Sequence, residues 1–203
     1  ATKEGGPDPD NNIRLRNAIQ NSKAVNMPKD TVERAIKKAS AKDQGDYKEI
    51  NYEGYAPHGI AIFIETATDN LNRTVANVRS YFTKYNGSLG TSGSVEFLFE
   101  RKCHFKIDKG ELDMEELELE LIDFGIEELF EEEEFIMIYG EFSNFGNIQR
   151  GLEELKIPVI ESGYERIPLN TTELGEEQQA DVEKLLEKLE EDEDVNEVYH
   201  TMQ

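Results

Sequence analysis

The stretch CHFKIDKGELDMEELELELIDFGIEELFEEEEFIMIYG, residues 103–140, alternates short apolar strands with one amphipathic helix. Apolar side chains recur at helical spacing between Asp113 and Phe124 and predict that helix. The apolar runs before and after it predict strands. With a further helix capped by Ser143 and a final strand, residues 102–171 give the order strand-helix-strand-strand-helix-strand, which is ferredoxin-like.

The flanking segments predict a second α+β domain made from two separate parts of the chain. Residues 47–101 supply two strands joined at a Pro-His-Gly turn, a helix capped by Asp69 or Asn70, and a strand VEFLFE after a glycine-rich loop. They lack a second helix and a last strand, which residues 172–203 supply. We therefore expect a discontinuous domain with residues 102–171 inserted into it.

Residues 1–46 predict a helical domain with a different character. Two apolar stripes at three- and four-residue spacing, one after the N-cap candidates 10–12 and one after Pro28, predict a helical hairpin with a basic outer surface. A polar joint, residues 41–49, follows it. Because the chain starts at Ala1 without a methionine, we expect this domain to be N-terminally incomplete. The predicted fold class is α+β and multidomain: a helical domain and two ferredoxin-like α+β domains, one inserted in the other.

Charge is segregated along the chain. The protein has 203 residues and a formal net charge of −22 at pH 7. Residues 1–42 contain 9 Lys and Arg against 5 Asp and Glu, whereas residues 43–203 contain 13 against 39. Because an acidic surface repels phosphate at long range, any nucleic-acid contact is expected in the basic N-terminal part.

Composition and motifs argue against several functional classes. Cys103 is the single cysteine, so no internal disulfide forms and a reducing, cytoplasmic location is expected. The apolar runs are far shorter than a membrane span. No zinc spacing or catalytic motif is present, and the glycine-rich loop 86–94 lacks the lysine of a phosphate-binding loop. We expect no enzyme activity, no cofactor, no metal and no small-molecule substrate.

Two places combine cations with amide side chains and predict nucleic-acid contacts. In the hairpin, Asn and Gln interleave with Lys and Arg, which suits phosphate and base-edge hydrogen bonds. At a second place, a helix start presents backbone amides that favour phosphate. The predicted nucleic-acid-binding residues are Arg14, Arg16, Gln20, Lys23, Lys29, Arg34, Lys37, Lys38, Asn70, Arg73 and Thr74.

Four stretches together resemble the YebC family: KEGGPDPDNNIRLRNAIQNSKAVNMPKDTVERAIKKA, YEGYAPHGIAI, TDNLNRTVANVR and NGSLGTSGSVEFLF. This family is bacterial, and its relatives include mitochondrial translational activators of cytochrome c oxidase. The resemblance implies a cytoplasmic, non-enzymatic, three-domain regulator of gene expression without a cofactor. It also implies that the basic segment is Arg14 to Lys38 and that Thr68 to Thr74 is the polar turn.

Three hypotheses about function stay open. The family label implies a DNA-binding transcriptional regulator, which we expect to act as a dimer presenting two hairpins. Other members resemble translation factors that bind the ribosome and relieve stalling, and a structured RNA would accommodate both a basic helix and acidic domains. The third hypothesis is a protein–protein interaction module using the acidic faces 111–134 or 176–194.

Overall fold

The computed structural model describes residues 1–40 and 47–203 and has an α+β architecture, as predicted. The helices are α1 (Thr2–Gly5), α2 (Ile13–Ala24), α3 (Lys29–Ala39), α4 (Leu71–Lys84), α5 (Met114–Leu121), α6 (Phe145–Glu154) and α7 (Glu176–Glu190). The strands are β1 (Lys48–Tyr55), β2 (Ala61–Thr68), β3 (Ser88–Leu89), β4 (Phe99–Asp108), β5 (Ile126–Glu132), β6 (Phe135–Glu141), β7 (Val159–Pro168) and β8 (Val195–His200). None of the described helices is long and apolar enough to cross a bilayer.

The described residues form two compact units, each with its own four-stranded sheet. The first unit comprises residues 1–40 and 101–165, and the second comprises residues 47–100 and 166–203. The division into three domains with the boundaries given above stays a prediction. Residues 41–46 of the predicted polar joint lie outside the described residues. Strand β1 already begins at Lys48, within the predicted joint.

The sheet of the first unit has the strand order β5-β6-β4-β7, and α5 and α6 connect its strands in the predicted sequence of elements. Strand β6 lies antiparallel between β4 and β5. Alternate residues of β4 and β6 meet the apolar faces of both helices. The buried core of this unit is Cys103, Phe105, Ile107, Leu117, Leu121, Ile136, Ile138, Phe145, Ile148 and Leu152.

Two local predictions were wrong, one just before the ferredoxin-like segment and one within it. The segment VEFLFE is not a complete strand, because residues Glu96–Leu98 form a 3-10 turn and β4 then runs unbroken from Phe99 to Asp108. Ser143 does not cap α6: it lies within another 3-10 turn, and its hydroxyl contacts the Glu141 carboxylate at 3.3 Å. The residue before α6 makes no side-chain capping bond either.

The second unit has the strand order β3-β1-β2-β8. Strands β1 and β2 form the predicted antiparallel hairpin, and β8 pairs antiparallel with β2 at its other side. Its helices follow the second and third strands, so the element order is β-β-α-β-α-β and differs from the ferredoxin-like order. The predicted apolar face of α7 is buried in the core: Val182, Leu185, Leu186 and Leu189.

The helical hairpin consists of α2 and α3 and buries few side chains. Asn12 caps α2 by accepting the Leu15 N–H at 3.0 Å, and its amide also donates to the carbonyls of Ala1 and Gly6 at 2.9 Å each. Leu15 is buried, whereas Val25 at the end of the predicted stripe is exposed. Helix α3 buries none of its residues fully and has no side-chain capping bond at its start, and its cations Arg34, Lys37 and Lys38 are all exposed.

Candidate nucleic-acid interface

Three lysines of the hairpin have no ion-pair or hydrogen-bond partner in the part of the chain that the structure describes. They are Lys23, at the end of α2, and Lys37 and Lys38, at the end of α3. All three side chains are exposed. Positive charge at a helix C-terminus is favourable in itself, but these ammonium groups keep their full capacity to bind an external anion.

Two further hairpin cations are paired with acids. Arg14 forms an ion pair with Glu4, and Lys29 lies 3.6 Å from the Glu33 carboxylate one helical turn away. All four side chains are more than half exposed, and such surface pairs contribute little to stability. A phosphate could therefore replace either acid at small cost.

The remaining hairpin arginines bond to neutral oxygens. Arg16 donates to the carbonyls of Pro9 at 3.2 Å and Asp10 at 2.9 Å, and Arg34 donates to the Asp30 carbonyl at 3.0 Å. These bonds orient the guanidinium groups without cancelling their charge. Arg16 and Lys23 also line one cleft of about 600 Å³ beside α2, so two cations share a concave surface.

Gln20, by contrast, is used within the protein. Its side-chain amide donates to the Val159 carbonyl of β7. The next residue, Asn21, donates to the Ser162 carbonyl at 2.8 Å and accepts the Ser162 N–H at 3.1 Å. These amides attach α2 to the edge of the sheet in the same unit, and Gln20 is not free to contact a base.

The second predicted place belongs to the other unit and is neutralised there. Asn70 caps α4 by accepting the Arg73 N–H at 3.1 Å. The Arg73 guanidinium donates to both carboxylate oxygens of Asp194, at 2.7 and 2.9 Å from Nη2, and to Asp69 at 3.0 Å. One cation is thus matched by two carboxylates, which leaves no net positive charge for a phosphate.

Thr74 is completely buried in this cluster. Its hydroxyl contacts Asp194 at 2.7 Å and the Thr68 hydroxyl at 2.8 Å. Burial alone would raise the pKa of the Asp194 carboxyl, but the bonds from Arg73 and Thr74 outweigh it and hold the pKa below its usual value. Asp194 therefore stays ionised and joins the start of β8 to α4.

The glycine-rich loop 86–94 surrounds a carboxylate of the protein itself. Glu53, which is buried, accepts the N–H groups of Gly93, Val95 and Glu96 at 2.6, 2.7 and 2.9 Å. Such a set of backbone donors resembles an anion cradle. Here it is occupied by Glu53, and it also explains the 3-10 turn, because these donors are withdrawn from any strand pairing.

An aromatic cluster in the first unit was not predicted. The Arg101 guanidinium lies 4.0 Å from the ring centroid of Phe142, and the rings of Phe142 and Tyr164 lie 4.7 Å apart. The Tyr164 ring also contacts buried Phe145 at 4.8 Å. No local sequence pattern indicates this cluster, because its members come from β4, a 3-10 turn, β7 and α6.

The described ranges 1–40 and 47–203 contain neither a candidate metal site nor a reactive thiol. They contain no group of three or more His, Cys, Asp or Glu side chains that could hold a metal. Burial raises the pKa of the Cys103 thiol to about 11. A thiol in that state is not a nucleophile at neutral pH.

Comparison with known proteins agrees with this α+β architecture. Residues 1–42 match the family described as the TACO1/YebC protein N-terminal domain, and residues 47–202 match the TACO1/YebC second and third domain. The chain therefore belongs to the TACO1/YebC family.

Its relatives are similar over the full chain. A probable transcriptional regulatory protein of Flavobacterium psychrophilum is 66% identical, covering 100% of this chain and 86% of the relative. One of Porphyromonas gingivalis with the same description is 59% identical, covering 100% and 84%. The crystal structure of a conserved hypothetical protein, Aq1575, from Aquifex aeolicus has a TM-score of 0.81 at 40% identity, covering 100% of this chain and 84% of that one.

Proposed function

We propose that the protein is a non-enzymatic, cytoplasmic regulator of gene expression that binds nucleic acid through its helical hairpin. The observation that supports this most directly is the set of exposed lysines Lys23, Lys37 and Lys38, which have no partner within residues 1–40 and 47–203, in a protein with a net charge of −22. The description of its relatives as probable transcriptional regulatory proteins supports the regulatory role.

The mechanism we propose is electrostatic anchoring by a limited surface. Lys23 and Arg16 would hold phosphates along the cleft beside α2, and Lys37 and Lys38 would hold them at the end of α3. Each phosphate neutralised on duplex DNA releases counterions and adds about −0.9 to the slope of log K against log salt. The acidic remainder of the chain would oppose indiscriminate adhesion.

A second candidate is binding to ribosomal RNA as a translation factor. It is favoured by the exposed acidic face of α5, which presents Glu115, Glu116, Glu118 and Glu120. A uniform duplex would meet these carboxylates with like charge, whereas a folded RNA offers places where a basic hairpin binds and an acidic domain stays clear. Under the third hypothesis, a protein–protein interaction module, the same acidic face would bind a protein partner and no nucleic acid would be involved.

The test replaces these three exposed lysines together, as Lys23→Gln, Lys37→Gln and Lys38→Gln. We expect weaker binding and a salt slope on duplex DNA that is smaller by about 0.9 for each phosphate that is no longer neutralised. The matched control is Lys109→Gln, Lys184→Gln and Lys188→Gln, which changes the net charge equally but removes lysines already paired with acids. An equal weakening of binding in the two triple variants would contradict the hairpin as the interface.

The choice between DNA and ribosome needs two assays on the same samples. Duplex-DNA anisotropy and co-sedimentation with ribosomes are each measured over a salt series. Retention on ribosomes at physiological salt, with weak and steeply salt-dependent DNA binding, would identify a translation factor. Tight binding to a preferred DNA sequence without ribosome pelleting would identify a transcriptional regulator. Failure of both would leave the interaction module.

A further inference from the structure

We infer that Arg101, Phe142 and Tyr164 form a stacking site for an unpaired base of a single-stranded nucleic acid. The inference rests on the proposed function and extends it from phosphate binding to the recognition of bases. It concerns a surface of the first unit, the unit that also contains the hairpin.

Exposure of the rings is the first observation. Phe142 is 40% exposed and Tyr164 is 42% exposed, and their rings meet at 4.7 Å with an interplanar angle of 47°. Phe145, which is 9% exposed, lies 4.8 Å from Tyr164 and fixes that ring from below. The cluster is therefore an anchored pair of aromatic rings with part of their surface open to solvent.

The second observation is the state of Arg101. Its side chain is exposed and lies over both rings, 4.0 Å from the Phe142 centroid and 5.6 Å from the Tyr164 centroid. No carboxylate pairs with it among the residues that the structure describes. In a protein with twice as many acids as bases, an arginine that contacts only aromatic rings keeps its charge and one planar face available.

Together these features match base recognition in single strands. Unpaired bases stack on aromatic rings and on arginine guanidinium planes, and the same arginine can contact a neighbouring phosphate. A base in a duplex cannot reach such a site, because both of its faces are covered. Arg101 also supplies positive charge beside the rings, with its guanidinium 5.6 Å from the Tyr164 centroid.

The test uses the full chain with a short oligouridylate containing one 2-aminopurine, in ribose and in deoxyribose form, because uracil stacks weakly and leaves the free probe fluorescent. Stacking quenches 2-aminopurine fluorescence, so the signal reports the base itself. We expect Phe142→Leu to weaken binding about tenfold and to abolish quenching, with an unchanged salt slope because every cation that meets a phosphate is retained. Arg101→Lys keeps the charge but loses the plane, and should also abolish quenching. Phe130→Leu is the matched control, since Phe130 is 44% exposed on β5.

The outcomes separate this site from the hairpin. Unchanged quenching and affinity in both variants, with binding weakened when the hairpin lysines are replaced, would overturn the stacking site and leave the proposed function standing. A wild-type protein that binds no oligonucleotide, duplex or ribosome would overturn the proposed function itself. Stronger quenching with the ribose or the deoxyribose form would support stacking and identify which strand is bound.

Discussion

The hairpin and the start of α4 contain the same kind of residue, and the fold uses them in opposite ways. Lys23, Lys37 and Lys38 lie on the surface without a partner among the described residues. Arg73 is clamped by Asp194, which lies 121 residues further along the chain, and by Asp69. The difference teaches that a cation in the sequence indicates an interface only if no acid bonds to it in the folded protein. The comparison can be tested on both sides.

The largest effect is expected from Asp194→Ala. This change leaves the Arg73 guanidinium and the buried Thr74 hydroxyl without their acceptor, and it should lower the free energy of unfolding by about 3 kcal/mol. Urea denaturation measures it. The control is Glu193→Ala, an exposed neighbour, for which we expect a change within about 0.5 kcal/mol. Equal stability of the two variants would return Arg73 to the candidates for phosphate binding.

Glu53→Gln extends the comparison from cations to acids. It should lower the free energy of unfolding by about 2 kcal/mol, because a charged acceptor of three backbone N–H groups is replaced by a neutral amide. Burial would raise the pKa of the Glu53 carboxyl, but those three bonds together hold it below its usual value. In acid the unfolded state therefore binds more protons than the folded state. The stabilisation by Glu53 is present above the unfolded pKa of about 4.3 and is lost as the pH falls through the lower folded pKa.

Acid titration of the free energy of unfolding checks this prediction. The wild-type protein should lose stability below about pH 4.3, and Glu53→Gln should lose less of it over the same range. Glu118→Gln, a change on the exposed face of α5, serves as the control and should follow the wild-type curve. Parallel curves for wild type and Glu53→Gln would show that the glycine-rich loop does not depend on this carboxylate.

The smallest effect is expected from Asn21→Ala, at about 1 kcal/mol. The change removes both bonds to the Ser162 peptide while leaving the hairpin cations in place. Hydrogen exchange should show faster exchange of the Ser162 amide, and nucleic-acid affinity should change little. Asn17→Ala, on the same helix, is the control. A Ser162 amide that stays protected would mean that another group holds this strand edge.

Much of the fold could be predicted because it depends on local periodicity. Helical spacing gave the buried face of α7, including Leu185 and Leu189. Alternation gave most strands of both sheets, but not β3, which lies in the predicted glycine-rich loop. One error occurs where a distant side chain takes over local backbone groups. The carboxylate of Glu53, more than 40 residues away, accepts the Val95 and Glu96 N–H groups and converts the start of a predicted strand into a turn.

The candidate site shows the same limit. Charge alone predicted the lysines of the hairpin, which remain the centre of the proposed interface. It could not show that Gln20 bonds to β7 or that Arg73 is neutralised, since both partners are remote in sequence. Nor could it bring together Arg101 and Tyr164, which lie on different strands and meet only after the sheet has formed.

The paired bonds between Asn21 and Ser162 also have a consequence for solubility. Strand β7 is at the edge of its sheet, and an edge strand with open N–H and C=O groups invites another chain to add to it. The Asn21 amide donates to the C=O and accepts from the N–H of the same residue, Ser162, as a neighbouring strand would. The helix that we propose binds nucleic acid thus also closes a position at which the sheet could otherwise grow into an aggregate.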